Sequence, residues 1–226
     1  MKKSNVIGLS GVAGSGKDLF CDLCMITKNT SLWPLKSFSI AGKLKEECFD
    51  FIYNKYGINI NTCSWEEKNA VRKILVAHGE IKRSQSRGSY WFDKLTQDIT
   101  EAKEKYKTII VTDVRFAEYE YDEVQWIRDS LDGYLVHISK FSIDENVGLM
   151  EVHQPANSSE RENDPKVASL SDYQIEWENL SYIKDDREKE NKLSKAIDKF
   201  SEWLQYRAHA NKLAGRKSKK TYVWPK

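Results

Sequence analysis

Short apolar runs alternate along the chain with longer segments in which apolar residues recur every three or four positions. Runs of the first kind predict buried strands, and the second pattern predicts amphipathic helices. The predicted strands cover residues 5–10, 35–39, 108–113, 133–139 and 173–177. The predicted helices cover residues 16–27, 40–53, 65–78, 90–106, 118–129 and 186–206. This alternation predicts an α/β domain built on a doubly wound parallel sheet.

The segment 140–171 interrupts the alternation. It is polar, contains Pro155 and Pro165, and shows little periodicity. A segment of this length without elements of its own is usually a functional lid or disordered. We therefore expect one domain over residues 1–205, with a lid at about 140–171 and a tail at 206–226.

Composition narrows the class of protein. The 226 residues are 40% hydrophobic and 31% charged, which favours a globular chain. The tail 206–226 is basic and holds no acidic residue, so any attraction to nucleic acid would come from there. A short basic terminus is more often simply solvated. No apolar stretch approaches the ~20 residues of a membrane span. The four cysteines lack zinc-ligand spacing, so we expect reduced thiols in a cytoplasmic protein.

A glycine-rich turn joins the first predicted strand to the first predicted helix. Its sequence, GVAGSGKD at 11–18, fits the phosphate-binding pattern G-x-x-x-x-G-K-[ST] except that Asp18 stands at the last position. Glycines allow backbone N–H groups at a helix N-terminus to surround a phosphate, and Lys17 adds positive charge. The predicted ligands of the ATP phosphates are Gly11, Gly14, Ser15, Gly16, Lys17 and Asp18.

A second candidate lies about a hundred residues later, where the strand 108–113 ends in Asp113. Ligands of parallel α/β sheets bind at the carboxyl ends of strands, so we expect Asp113 to lie near the glycine-rich turn. Asp113 is a candidate metal-facing carboxylate, or alternatively a helix cap. Arg115 could bind a transferring phosphoryl group, or alternatively pair with Glu118.

Weaker candidates follow from residue type alone. Arg83 and Arg87 lie in a polar connector and could bind a substrate phosphate or remain solvated. Trp91 has the helical spacing of a core residue, although a role in stacking on a base stays open. His153 and Glu160 lie in the long polar segment, where composition favours simple exposure.

Together these segments resemble the phage-type deoxynucleoside monophosphate kinases, relatives of adenylate kinase with a P-loop fold. That family typically carries Asp after the loop lysine, as at 18, and TDVRF at 112–116 matches its T-D-V-R-F. Weaker similarities cover 38–45, 72–91 and a stretched lid motif at 151–160. The chain departs from the family in reading Glu-Tyr-Glu at 118–120, where Asn-Glu is usual, and in having Trp177 at a usual Asn position.

The resemblance implies transfer of the ATP γ-phosphate to a deoxynucleoside 5′-monophosphate, with Mg²⁺, for deoxynucleotide supply during phage replication. The site residues it implies are residues 14–17 for the ATP phosphates, Lys45, Arg83 and Arg115 for the monophosphate, Asp18 and Asp113 near the metal, and Glu160 in the closing lid. Two alternatives stay open. One is another small-molecule P-loop kinase, similar to phosphomevalonate kinase. The other is a nucleotide-dependent nucleic-acid-binding protein that uses the tail. A homodimer is compatible with each of these three functions.

Overall fold

The computed structural model describes residues 4–26, 32–144, 149–180, 183 and 185–213. Within these ranges the strands are β1 (Asn5–Ser10), β2 (Leu35–Ser39), β3 (Thr108–Val114), β4 (Tyr134–Asp144), β5 (Leu149–Val152) and β6 (Tyr173–Glu178). The helices are α1 (Lys17–Ile26), α2 (Ile40–Tyr56), α3 (Trp65–Ser86), α4 (Tyr90–Ala102), α5 (Glu123–Gln125), α6 (Ser158–Ser169) and α7 (Asp186–Leu213). A single π-helical turn, Trp126–Ser130, follows α5.

The sheet is mostly parallel and has helices on both faces, which confirms the predicted α/β class. Its parallel strands run in the order β2-β3-β1-β4-β6, and β5 pairs antiparallel with the far end of β4. Successive side chains of β1 point to opposite faces of the sheet. Ile7 packs in the hydrophobic cluster that includes α1 and α7, and Val6 packs in the cluster that includes α4. β1 therefore occupies a central position, buried on both sides.

Two predicted helices have different bounds in the structure. Gly79 does not end α3, which continues to Ser86, because the missing side chain lets Leu44 of α2 pack against it. The predicted helix 118–129 is reduced to α5 and the π-helical turn. Asp122 caps α5 and also binds the backbone N–H groups of Glu118 and Tyr119, which holds the residues before α5 in a turn.

The polar segment 140–171 contains more structure than its sequence predicts. β4 continues to Asp144, β5 pairs with it, and α6 follows with Asn157 as its N-cap. Glu160 and Asn163 are buried in α6, so the buried side of this helix is partly polar and leaves no hydrophobic period to detect.

The basic tail begins inside α7, which continues to Leu213. Residues 214–226, with Tyr222, Trp224 and most of the basic charge of the tail, lie outside the described residues. None of the helices in the described ranges combines the length and apolarity that a bilayer crossing requires.

Candidate functional site

The glycine-rich loop, Gly11–Gly16, follows the carboxyl end of β1 at the centre of the sheet. Gly11 has φ 134°, and a Cβ there would lie 2.2 Å from the carbonyl oxygen of Ile138. Gly16 has φ 99°, and a Cβ there would lie 2.4 Å from the Trp177 ring. Both the left-handed conformation and the space exclude larger residues, so the loop path depends on glycine.

Lys17 opens α1 and is only 6% exposed. Its Nζ donates to the carbonyl oxygens of Gly11 at 2.8 Å and Val12 at 2.9 Å, so the side chain folds back over the loop. Burial lowers the pKa of Lys17, and the charges of Asp113 and Glu160 act in the opposite direction. A buried positive charge that is held on this loop favours an anion in the adjacent space.

Ser15 and Asp18, which were both predicted as ligands in the loop, lie in different surroundings. Ser15 is fully buried, its N–H donates to the Val12 carbonyl at 3.1 Å, and its own carbonyl accepts from Trp177 Nε1 at 2.8 Å. Its groups therefore maintain the loop, and it does not line the neighbouring cavity. Asp18 is exposed and does line that cavity.

Asp113 lies at the end of β3, beside the loop. It has φ 66°, and the pairing of β1 with β3 skips it as a bulge, since Leu9 pairs with Thr112 and Ser10 with Val114. Its Oδ2 accepts hydrogen bonds from Ser39 Oγ at 2.8 Å and Thr112 Oγ1 at 3.3 Å. An unusual backbone conformation that hydroxyl groups hold in place is typical of functional sites.

Arg115 reaches the same place from the residues after the bulge. Its Nη1 lies 3.0 Å from Glu160 Oε1, and its Nη2 lies 3.7 Å from Asp113 Oδ1. Its Nε is buried and has no hydrogen-bond partner within the described part of the chain. The alternative pair with Glu118 is not formed, because Glu118 pairs with Arg83 instead. Arg115 thus retains donor capacity that faces a cavity.

Glu160 connects the loop to Arg115. The side chain is nearly buried, and its Oε2 accepts hydrogen bonds from the backbone N–H groups of Ala13 at 3.2 Å and Ala156 at 3.1 Å. Because Oε1 pairs with Arg115, one carboxylate spans a loop amide and a guanidinium. The ring of His153 also contacts the loop and donates to the Ala13 carbonyl at 2.9 Å. An anionic group is therefore stable at this point of the structure.

Arg83 has a different environment from the one that its sequence position predicted, because it lies inside α3 and not in a connector. It pairs with Asp122 at 2.8 Å and Glu118 at 2.9 Å, lies 3.8 Å from Glu123 Oε1, and stacks on Phe116 at 3.5 Å. Burial alone would lower the pKa of Arg83, but these carboxylates raise it overall. The carboxylates already neutralise this guanidinium.

Glu123 supports the residues that carry Arg115. Its Oε2 accepts from the backbone N–H groups of Arg115 at 2.6 Å and Phe116 at 3.2 Å. The side chain is 2% exposed, and burial raises the pKa of Glu123 to about 8. Sequence reasoning missed this residue because it lies in a stretch that reads as an amphipathic helix.

A cavity of about 460 Å³ joins these groups. The predicted residues that line it are Gly11, Gly14, Gly16, Lys17, Asp18, Lys45, Arg83, Trp91, Asp113, Arg115 and Glu160. Trp91 is nearly buried, and its Nε1 donates to the Gly79 carbonyl at 3.3 Å, which fits a core residue at the cavity wall. Arg87 ends α3 with φ 52° and does not line the cavity.

Two cations of the cavity wall were missed by sequence reasoning. Lys68 and Arg72 lie four residues apart on α3, and Lys45 reaches the same wall from α2. Among the residues that the structure covers, none of the three has an acidic partner. The four-residue spacing of two cations on one helix was the available signal. Lys45, Lys68 and Arg72 thus form a part of the wall whose positive charge is not paired with a carboxylate of the described residues.

Metal binding was predicted at Asp18 and Asp113. Within the described ranges, no group of three or more His, Cys, Asp and Glu side chains is arranged to hold a metal ion. Mg²⁺ needs fewer protein ligands when a nucleotide supplies phosphate oxygens, and one or two carboxylates are then enough. Asp18 and Asp113 both line the cavity, so the donor set fits that mode of binding.

Comparisons with known proteins add little. No family model matches the sequence, and no curated protein matches it. Among solved structures, TT1252 from Thermus thermophilus is similar at 12% identity and a TM-score of 0.40, over 87% of this chain and 97% of that chain. Because this likeness is weak, the site is interpreted from the geometry of the chain itself.

Proposed function

We propose that the protein is an ATP-dependent, Mg²⁺-dependent kinase of deoxynucleoside 5′-monophosphates. In this proposal the fold is of the P-loop, adenylate-kinase-like type, and the segment 140–171 closes over the nucleotides. A cytoplasmic enzyme of phage deoxynucleotide supply is the biological setting that the sequence resemblance implies.

One observation carries the proposal. A single cavity is lined by the glycine-rich loop with Lys17 and by the Asp113–Arg115 segment, which lies about a hundred residues away in sequence. Phosphoryl transfer needs a cradle of backbone N–H groups, positive charge around the transferring group and a carboxylate for a metal ion. All of these are present on the wall of this cavity.

The residues have distinct roles in the reaction. An acceptor phosphate oxygen attacks the γ-phosphorus, the bond from that phosphorus to the β–γ bridging oxygen breaks, and ADP leaves with this oxygen. Lys17 and the loop N–H groups hold the β- and γ-phosphates. Arg115 stabilises negative charge on the transferring group, because it lines the cavity and its Nη1 would be released to a phosphate oxygen on displacement of Glu160. Mg²⁺ bound near Asp18 and Asp113 would neutralise phosphate charge.

The acceptor phosphate needs positive charge on the other side of the cavity. Lys45, Lys68 and Arg72 lie on α2 and α3 and lack acidic partners among the described residues. We assign them to the acceptor phosphate together with Arg115, and we assign Arg83 to the fold. Closure of α6 over both substrates would exclude water and limit ATP hydrolysis.

Release of ADP from ATP tests the proposal. With Mg²⁺, we expect ADP to form only when dAMP, dGMP, dCMP or dTMP is added, as measured by a coupled assay. Lys17→Ala should remove most of this turnover. Lys105→Ala, which changes an exposed lysine that does not line the cavity, is the matched control.

Absence of ADP above background with all four monophosphates would refute the kinase assignment. Turnover with phosphomevalonate in place of these substrates would favour the alternative small-molecule kinase. Near-normal turnover of Lys17→Ala would remove this lysine from the site.

A further inference from the structure

A second, smaller cavity adjoins the main one between α3, the residues after Arg115 and α6. Its volume is about 330 Å³. Glu80, Arg83, Phe116 and Asn163 line both cavities, so the two spaces share a wall. We call this space the side cavity. The side cavity is therefore a direct neighbour of the main cavity.

The side cavity has the opposite charge from the phosphate region. Its charged lining consists of Glu80, Glu118, Glu162 and Arg83. Arg83 is already neutralised by Glu118 and Asp122, so it adds no free positive charge. A phosphate would meet an excess of carboxylates here, and the side cavity is therefore unsuited to the anionic end of a substrate.

The wall of the side cavity carries hydrogen-bond acceptors that lack a partner among the described residues. Asn163 is 3% exposed, and its Nδ2 donates to the Ser159 carbonyl at 3.1 Å. Its Oδ1 is buried without a partner in the described structure. Glu80 and Glu162 likewise have no hydrogen-bonded or ionic partner among the described residues. A buried, unsatisfied acceptor is costly unless a ligand supplies an N–H or O–H group.

We infer that the side cavity is the base subsite of the acceptor nucleotide, and that it selects a base with adjacent N–H donors, as guanine presents at N1 and N2. Asn163 Oδ1 and the Glu80 carboxylate accept these donors, while Phe116 and Tyr119 supply aromatic wall. Thymine presents a single N–H, so it satisfies only one of these two acceptors. This inference depends on the proposed kinase function and specifies its preferred substrate.

The same wall argues against an acceptor with a second anionic end. Phosphomevalonate carries a carboxylate as well as a phosphate, and that carboxylate would meet Glu80, Glu118 and Glu162. Like charges that face one another in a partly buried cavity destabilise binding. An acceptor with a neutral base therefore fits the side cavity better than an acceptor with a second anionic end.

Steady-state kinetics with dGMP, dIMP and dTMP test the inference, because dIMP differs from dGMP only in lacking the 2-amino group. We expect kcat/KM for dGMP to exceed that for dIMP and dTMP by about 10- to 100-fold, the range of one good bidentate contact to a base. Asn163→Leu and Glu80→Gln should each reduce the ratio of dGMP to dIMP several-fold. Asn163→Asp retains Oδ1 and should preserve more of that ratio than Asn163→Leu.

Glu80 is exposed, so Glu80→Gln keeps the test available if Asn163→Leu does not fold. Equal kcat/KM for the three nucleotides, or a preference for dTMP, would overturn the base subsite while the kinase function stands. If no nucleotide is turned over, the kinase function fails, and calorimetric binding of the same nucleotides decides the inference. Tighter binding of dGMP would then support it, and equal or undetectable binding would overturn it.

Discussion

Arg83 and Arg115 lie on the wall of the same cavity, and sequence reasoning proposed both as phosphate ligands, yet their surroundings differ. The Arg83 side chain is 7% exposed and has Asp122, Glu118 and Glu123 within 3.8 Å. The Arg115 side chain is 35% exposed, has Glu160 at 3.0 Å and Asp113 at 3.7 Å, and keeps an unpaired Nε within the described structure. The comparison shows that carboxylate partners, more than residue type, separate an arginine that holds the fold from one that is available to a ligand.

The largest expected effect is on kcat, when Arg115 is replaced. Arg115→Ala should lower kcat by about 10³-fold or more, the usual contribution of an arginine on a transferring phosphoryl group. The midpoint of urea unfolding should change little, because Arg115 is partly exposed. Arg87→Asn is the matched control, since Arg87 lies outside the cavity and Asn tolerates its left-handed backbone. Turnover of Arg115→Ala close to wild type would cancel the distinction between the two arginines.

The second effect concerns stability. Arg83→Leu leaves the Asp122 carboxylate buried without its cation, which costs about 3–5 kcal/mol when one partner of a buried pair is removed. The free energy of unfolding, measured by urea titration, should fall by that amount. Arg83→Lys keeps the charge without the planar fork and should recover part of the loss. If Arg83→Leu were as stable as wild type but inactive, Arg83 would be a substrate ligand after all.

The third effect is a change in how stability depends on pH. Burial raises the pKa of Glu123 from 4.5 to about 8. Between these values the folded state binds more protons than the unfolded state, so the contribution of Glu123 to stability is complete below the lower value. It is lost as the pH rises towards 8, by up to about 1.4 kcal/mol per pH unit.

Glu123→Gln cannot titrate and should remove this slope. Urea unfolding of both proteins at pH 5, 6.5 and 8 measures it. We expect the free energy of unfolding of wild type, relative to the variant, to decrease as the pH rises. A constant difference across the three pH values would show that Glu123 is ionised throughout.

The central part of the site was predictable because its signals are local. Glycines with a following lysine define the loop path, and a continuous apolar run that ends in Asp113 predicts a central strand with its carboxyl end at the ligand edge. The structure brings Lys17, Asp113 and Arg115 to one cavity as expected. To predict that these groups meet, it is enough to know the order of the strands and the residue types of the loop. Both leave a pattern in the sequence.

The region around α6 was not predictable from periodicity. Glu160 and Asn163 face a cavity and not a hydrophobic core, so polar residues occupy the buried positions of this helix. Pro165 inside α6 also reads as a helix breaker. A pattern of apolar positions detects burial against apolar neighbours, and it fails where a helix is buried against a ligand space.

The roles of Arg83 and Glu123 were missed for a related reason. Their contacts join α3 to α5 across about forty residues, and charge spacing along the chain does not reveal such pairs. The resemblance to a kinase family placed Arg83 with the monophosphate because it compares residue types. Only the three-dimensional structure shows which carboxylates surround each guanidinium.

The carboxylate of Glu160 has a consequence for the order of events at the site. It accepts the Ala13 N–H at 3.2 Å and pairs with Arg115 at 3.0 Å, so any incoming phosphate that uses these two groups must first displace it. Helix α6 carries this carboxylate, so a phosphate ligand competes for these two groups with a segment of the protein itself. In the proposed kinase, release of Glu160 from Ala13 and Arg115 would therefore have to accompany nucleotide binding.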